Sequence, residues 1–234
     1  MKKIAILQSN YIPWKGYFDL INSVDEFVIL DTVQYTKNDW RNRNKIKTKQ
    51  GLKWLTIPVN QKNRLSKPIN EISISDLNWM DSHVNLLKIN YKKSEFFDEV
   101  ITFVENIYIK TKGIVKLSEI NELFIRELCS VLNIKTKIIR AEQFGELNQT
   151  PNDRLIDICN KVCATSYLSG PSAKNYLDSN LFLDKGIMVE WMEYSGYPEY
   201  NQLYGEFIHE VSILDLLFNV GLENAYKYIS KSTS

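Results

Sequence analysis

The apolar positions of the first fifty residues fall into two short solid runs, at 4–7 and 27–30, separated by a polar and aromatic stretch. Runs so short and so uniformly apolar predict strands buried on both faces, as in a parallel sheet. We therefore expect a strand over 3–8, a helix over about 16–23 and a strand over 27–31, which together make a βαβ unit. A further apolar run covers 54–59, and 62–67 is a basic, polar connection. From about 76 to 133 the period becomes helical. Val84, Leu87, Ile89 and Tyr91 share one helix, and Phe97, Val100, Ile101, Val104 and Ile107 share the next. Ile120, Leu123, Phe124, Leu128 and Val131 mark a third over 117–132.

Beyond the helical stretch the spacing predicts a strand over 137–140 and a loop over 143–151. Next come a helix capped by Asn152 or Asp153 and running to 162, a strand over 165–169, and a helix opened by Gly170-Pro-Ser-Ala-Lys. A strand over 187–192 and helices over 211–218 and 224–229 follow, then a short polar tail at 230–234. Strands alternating with helices predict an α/β fold: a mostly parallel sheet flanked by helices, Rossmann-like or nucleotidyltransferase-like. Residues 1–75 and 134–234 form its expected core, and 76–133 a helical insert or subdomain.

Composition narrows the function classes. Lys+Arg number 29 against 28 Asp+Glu, for a net charge of +1, so no strong field favours nucleic acid or an anionic membrane. No stretch approaches the ~20 apolar residues of a membrane span. The N-terminal apolar run is shorter than the ~7–15 residues of a signal-peptide core, so a cytoplasmic location is expected. Cys129, Cys159 and Cys163 lie in apolar helical patterns, the last two one turn apart, and are expected to be small buried hydrophobes. With His83 and His209 the only histidines, neither a His-rich metal site nor a structural zinc is expected. A homodimer remains open.

Four polar-aromatic bursts carry the candidate chemistry. Gln8, Asn10, Tyr11, Trp14 and Tyr17 follow the first strand, with Pro13 and Gly16 shaping the turn. In an open α/β sheet ligands bind at the carboxyl ends of the strands, although the three aromatics could equally cap the core. Asp31, Gln34, Tyr35, Lys37, Trp40, Arg41, Asn42, Arg43, Asn44 and Lys47 follow the second strand. In an extended segment Arg41 and Arg43 would share one face, a fork for phosphate or carboxylate, with the amides on the other. The alternative is a solvated charged loop. Ser169, Gly170, Ser172 and Lys174 lie at a strand-to-helix junction, either a phosphate cradle or an ordinary capped turn. The last burst, 197–209, contains Tyr200, Glu206 and His209. Glu206 and His209 would share a face if helical, making His209 a candidate general base, with Asp31 an alternative. His83 is expected at the surface or as a satisfied core residue.

These blocks together, Gln8-x-Asn-Tyr-x-Pro-Trp-x-Gly-Tyr-Phe, Asp31-x-Val-Gln-Tyr, Arg41-Asn-Arg-Asn-x-Ile-Lys-Thr, Tyr167-Leu-Ser-Gly-Pro-Ser-Ala-Lys, Tyr197-Pro-Glu-Tyr and His209-x-Val-Ser-Ile-Leu-Asp-Leu-Leu-Phe-Asn, resemble the WbqC family over about residues 4–221. The resemblance implies a bacterial protein of O-antigen or surface-polysaccharide (lipopolysaccharide) biosynthesis. It also implies N-acylation of a nucleotide-linked amino sugar, such as a dTDP-4-amino-4,6-dideoxyhexose, with glycine as a candidate acyl group. A more distant resemblance is to nucleotidyltransferase-type folds such as pantothenate synthetase, whose H-x-G-H segment corresponds to Trp14-Lys-Gly-Tyr with both histidines replaced. It implies a carboxylate activated by ATP, with Mg²⁺ carried mostly on phosphates.

On this expectation Arg41, Arg43 and Lys174 hold phosphates, and Trp14, Tyr17 or Tyr35 stacks on a base. Gln8, Asn10, Gln34 and Asn42 orient the small polar partner, and His209 with Glu206, or Asp31, takes the proton. A non-catalytic nucleotide-sugar or glycan-binding module would use the same residues.

Overall fold

The computed structural model describes residues 1–230; the last four residues of the expected polar tail, 231–234, lie outside the described residues. Five strands form one parallel sheet: β1 (Lys3–Leu7), β2 (Glu26–Ile29), β5 (Lys137–Arg140), β6 (Ser166–Ser169) and β7 (Met188–Trp191), in the spatial order β5-β2-β1-β6-β7. α1 (Lys15–Asn22) makes the β1-to-β2 crossover, α5 (Pro151–Lys161) joins β5 to β6, and α6 (Ser179–Leu183) joins β6 to β7. Helices therefore cover both faces, and the α/β expectation holds.

The alternation of side chains sorts the core into two layers. Ala5, Phe27, Ile29, Ile138 and Leu168 point into one hydrophobic cluster, which also takes α1. Ile4, Ile6, Val28, Leu30, Ile139 and Tyr167 point into the other, under α5 and α6. Both faces of β1 and β2 are thus dry, which is why these strands read as unbroken apolar runs. The helical stretch is α2 (Trp79–Tyr91), α3 (Phe97–Lys110) and α4 (Leu117–Val131), and its apolar faces join the α1 cluster without a break. No helix of the described residues is long and apolar enough to cross a membrane.

Several local expectations are corrected. An antiparallel hairpin, β3 (Arg43–Thr48) with β4 (Gly51–Thr56), stands outside the main sheet, turning at Gly51 with φ +102°. The helix expected from Gly170 is a five-residue 3-10 turn, 171–175, and the one expected over 224–229 is a 3-10 turn at 225–228. Thr150, not Asn152 or Asp153, precedes α5, with Pro151 at its first position. α7 (Ile213–Val220) begins at Ser212, whose hydroxyl caps it by accepting from the Leu214 N–H. Residues 192–212 contain neither helix nor strand, so Glu206 and His209 do not share a helix face. Cys129 and Cys159 are buried, but Cys163 lies beyond the end of α5 and is exposed.

Candidate functional site

The chain runs outward from β1 to β2 and β5, then returns across the sheet to β6. Connections from β1 and β6 therefore leave in opposite directions, opening a crevice at their carboxyl ends, where open α/β sheets bind ligands. A cleft of about 840 Å³ lies there, with Leu7 and Gln8 on one side and Ser169 and Gly170 on the other. This is within the ~300–1,000 Å³ typical of small-molecule sites.

The first wall is the loop after β1, held from below. The buried Asp31 carboxylate accepts from the Ser9 N–H at 2.8 Å and the Ser9 hydroxyl at 2.6 Å. The Asn121 amide donates to Ser9 Oγ at 3.0 Å and to the Arg41 carbonyl at 2.8 Å, tying both polar bursts to α4. Burial outweighs these bonds and pushes the Asp31 carboxyl up to about 6. Above this base the Arg41 guanidinium donates to Gln8 Oε1 at 3.2 Å, to the Ser9 carbonyl at 3.3 Å and to Asn10 Oδ1. With their amide oxygens occupied, Gln8 and Asn10 present –NH₂ groups to a ligand. Ile12 sits at φ +41°, a region that β-branched residues rarely enter. Its carbonyl and that of Tyr11 are gripped by the Asn44 amide at 2.8 and 3.1 Å.

The second wall combines Ser169, Gly170 and Ser172 with Asn152 and Arg154 from the first turn of α5. Trp14, Trp40, Tyr176 and Tyr194 supply aromatic surface, with the Trp14 and Tyr194 ring centroids 5.2 Å apart. The Trp14 ring closes over Gly16, leaving no room for a Cβ there. Among the described residues, no carboxylate and no imidazole lines this cleft, whereas two guanidinium groups do. A smaller cavity of about 140 Å³ shares Asn10, Trp14 and Trp40 with it and adds Pro13, Asn44 and Glu210.

Of the residues singled out in the sequence, Gln8, Asn10, Trp14, Trp40, Arg41, Ser169, Gly170 and Ser172 meet at the cleft. The others lie elsewhere. Tyr11 is core, its hydroxyl bonded to His83 Nδ1 at 2.8 Å and to Tyr108 at 2.6 Å. His83 is buried too, and its ring is driven down to about 4 by desolvation. Tyr17 donates to the Gln8 carbonyl at 3.0 Å, and Tyr35 to Asn42 Oδ1 at 3.0 Å. Asn42 in turn donates to the Ile57 carbonyl at 2.8 Å. Gln34 donates to the Leu65 carbonyl, and Lys37 is exposed.

Arg43 diverges from Arg41. Its guanidinium lies 4.1 Å over the Trp54 ring because Arg43 belongs to the hairpin whereas Arg41 precedes it. Lys174 lies 5.5 Å over Trp191 and does not line the cleft.

The segment 192–212 is strapped to the body by side chains. Tyr197 donates to Asp19 at 2.6 Å, Tyr200 and Gln202 to the buried Asp215 at 2.8 and 2.7 Å, and Lys47 to Gln202 at 2.8 Å. Lys47 also donates to the Glu206 carbonyl, while Glu206 itself is exposed. The buried Lys15 ammonium donates to the Pro198 carbonyl at 2.8 Å and lies 5.3–5.5 Å from the rings of Tyr197, Tyr200 and Phe207. Desolvation lowers it to about 8. His209 stands against Phe207, 4.7 Å between centroids, and is held below the usual imidazole range by burial and by Lys15. Its charged neighbours are Lys15, Glu199 and Glu210.

Arg154, Tyr194 and Glu210 escaped the sequence reading, and Asn152 figures in it only as a helix cap; the helix start is legible there, its place in the cleft is not.

Among the described residues no group of three or more His, Cys, Asp or Glu is set to hold a metal. With no carboxylate on its walls, the cleft could take Mg²⁺ only as a passenger on nucleotide phosphates. What the cleft offers is hydrogen-bond donors, two cations and aromatic faces, a set suited to an anionic ligand with a planar or pyranose part.

The chain is 47% identical over 223 residues to the uncharacterized protein Rv1507c of Mycobacterium tuberculosis, covering 95% of this chain and 96% of that one. No solved structure matches it. The WbqC-like protein family matches residues 8–227, from the first wall of the cleft to beyond α7, and the chain belongs to that family.

Proposed function

We propose that the chain transfers a small acyl group, such as glycyl, to the amine of a nucleotide-linked amino sugar. Family membership is consistent with a polysaccharide-related role. The observation that carries the proposal is the switch-point cleft, whose lining includes Arg41 and Arg154 but no carboxylate; Asp39 stands behind Arg41, 3.6 Å from its guanidinium. A diphosphate gains two guanidinium partners there, assisted by the N–H groups at the start of α5. Trp14 or Trp40 offers a face for the base, and the hydroxyls of Ser169 and Ser172 face the sugar.

In the transfer, the amine nitrogen forms the new N–C bond, the acyl group's leaving group departs with its electron pair, and the amine sheds a proton. The amine must attack uncharged. Asp31 is sealed beneath Ser9, and His209 does not line the cleft. Two neighbouring guanidinium groups and aromatic walls lower an amine's pKa, which delivers it neutral without a dedicated base. ATP, with Mg²⁺ on its phosphates, would activate the acyl carboxylate when no preformed thioester or ester is supplied.

The same shortage of acid–base groups favours a second reading, a nucleotide-sugar binding module. One experiment separates them: incubate full-length protein with ATP, glycine and a dTDP-4-amino-4,6-dideoxyhexose, and follow product mass. Transfer adds one glycyl unit, and Arg41→Ala and Arg154→Ala each raise the KM for the nucleotide sugar about tenfold or more. Ligand-induced stabilisation without product, across several small acids and amino sugars, supports the module instead.

A further inference from the structure

The small cavity beside the cleft has a chemistry of its own. Two indole walls, Trp14 and Trp40, stand with the Glu210 carboxylate around about 140 Å³. That is below the ~300–1,000 Å³ of a typical small-molecule pocket, so it suits a small group rather than a whole nucleotide sugar.

Indole faces with a nearby carboxylate are the combination that recognises an ammonium group, through the ring quadrupole and a counter-charge. Asn44 cannot compete for this role, because its amide is spent on Tyr11, Ile12 and the Lys45 N–H. Glu210 is exposed at the rim. Lys15 is bonded to the Pro198 carbonyl, and Lys45 lies 5.5 Å over the Trp40 ring and 5.2 Å over Trp54, so a ligand ammonium shares Trp40 with a protein cation and depends on Trp14 and Glu210 for the rest of its contacts. Asn10, Trp14 and Trp40 are common to both spaces, so the cavity adjoins the cleft that holds Arg41.

We propose that this cavity binds a small primary ammonium group, with Glu210 as its counter-ion and Trp14 and Trp40 as its walls. The assignment rests on the acyl-transfer reading for its place in a reaction, where the cavity would seat the amine end of the amino-acid donor, or hold the acceptor sugar's ammonium before it sheds its proton and moves beside the guanidinium groups to attack. A zwitterion so held directs its carboxyl end toward the cleft.

The test is direct binding, with methylammonium, glycine and acetate as probes, measured on the full-length protein by saturation-transfer NMR and tryptophan fluorescence. Methylammonium and glycine bind wild type, weaken about tenfold in Glu210→Gln and recover in part in Glu210→Asp; acetate does not compete with them. An unchanged melting temperature in Glu210→Gln confirms that the fold is kept. Equal binding to wild type and Glu210→Gln, acetate binding as tight as methylammonium, or no binding of either amine to wild type overturns the assignment.

Turnover distinguishes the two sources. A raised KM for glycine in Glu210→Gln identifies the donor, whereas a lost preference for an amino- over a hydroxy-sugar nucleotide identifies the acceptor. Amine binding with no transfer product refutes the transfer reading alone. Transfer with both kinetic properties unchanged in Glu210→Gln refutes the ammonium site alone.

Discussion

Asp31 makes stability depend on pH in a direction opposite to that of an ordinary surface carboxylate. Its folded value of about 6 stands against the ordinary aspartate value of 3.8 that an unfolded chain approaches. The folded state therefore holds this proton more tightly than the unfolded state. Stability from this residue is present below about 4 and is lost as pH rises through about 6. A displacement of about two pH units corresponds to about 3 kcal/mol.

The perturbation is Asp31→Asn, which keeps the shape and removes the titration. Urea unfolding of both proteins at several pH values between 4 and 7.5 isolates this residue, since every other carboxylate cancels in the difference. Wild-type stability should fall relative to the variant by about 3 kcal/mol across that range. A difference that stays flat with pH, or one that moves in favour of wild type as pH rises, would refute a buried, desolvated carboxylate beneath Ser9.

Two further outcomes follow from close contacts. Gly16→Ala drives a Cβ into the Trp14 ring; we expect a loss of about 1–3 kcal/mol together with weakened nucleotide-induced stabilisation, both readable in one thermal-shift series. Asp215→Ala strands the hydroxyls of Tyr91 and Tyr200 and the Gln202 amide. A cost of about 3–5 kcal/mol is expected by calorimetry, and limited proteolysis should then cut within 193–211 first.

The sheet was legible because its strands are dry on both sides: the runs at 4–7 and 27–30 carry that fact on their surface. The hairpin was not, because its burial does not alternate: Lys47 is buried between Ile46 and Thr48, and Leu55 alone is buried in β4. Asn44 occupies a buried position that a hydrophobic pattern does not count, and it earns that place by binding two backbone carbonyls.

Tyr11, Tyr17 and Tyr35 looked like ligand-facing aromatics because composition cannot tell a buried hydroxyl with a partner from an exposed one. Each finds its partner inside: His83, the Gln8 carbonyl and Asn42. Half of the cleft was readable because it lies in local motifs after β1 and β6. The remainder, Arg154 and Tyr194, is brought in by chain segments more than a hundred residues away from the first wall, as is Glu210 of the smaller cavity, and spacing in one sequence carries no sign of that.

The Ser212 and Ile213 N–H groups donate to the carbonyls of Lys45 and Pro13, both at 2.8 Å. The last long helix thereby clamps the first loop and the hairpin in a single grip. Ribosomes deliver these parts in the opposite order, at about 5–20 residues per second. Trp14, Trp40 and Arg41 thus emerge many seconds before the clamp that sets their spacing. Ligand capture becomes a mark of finished synthesis, and a chain cut short of residue 212 should carry all three side chains yet assemble no cleft.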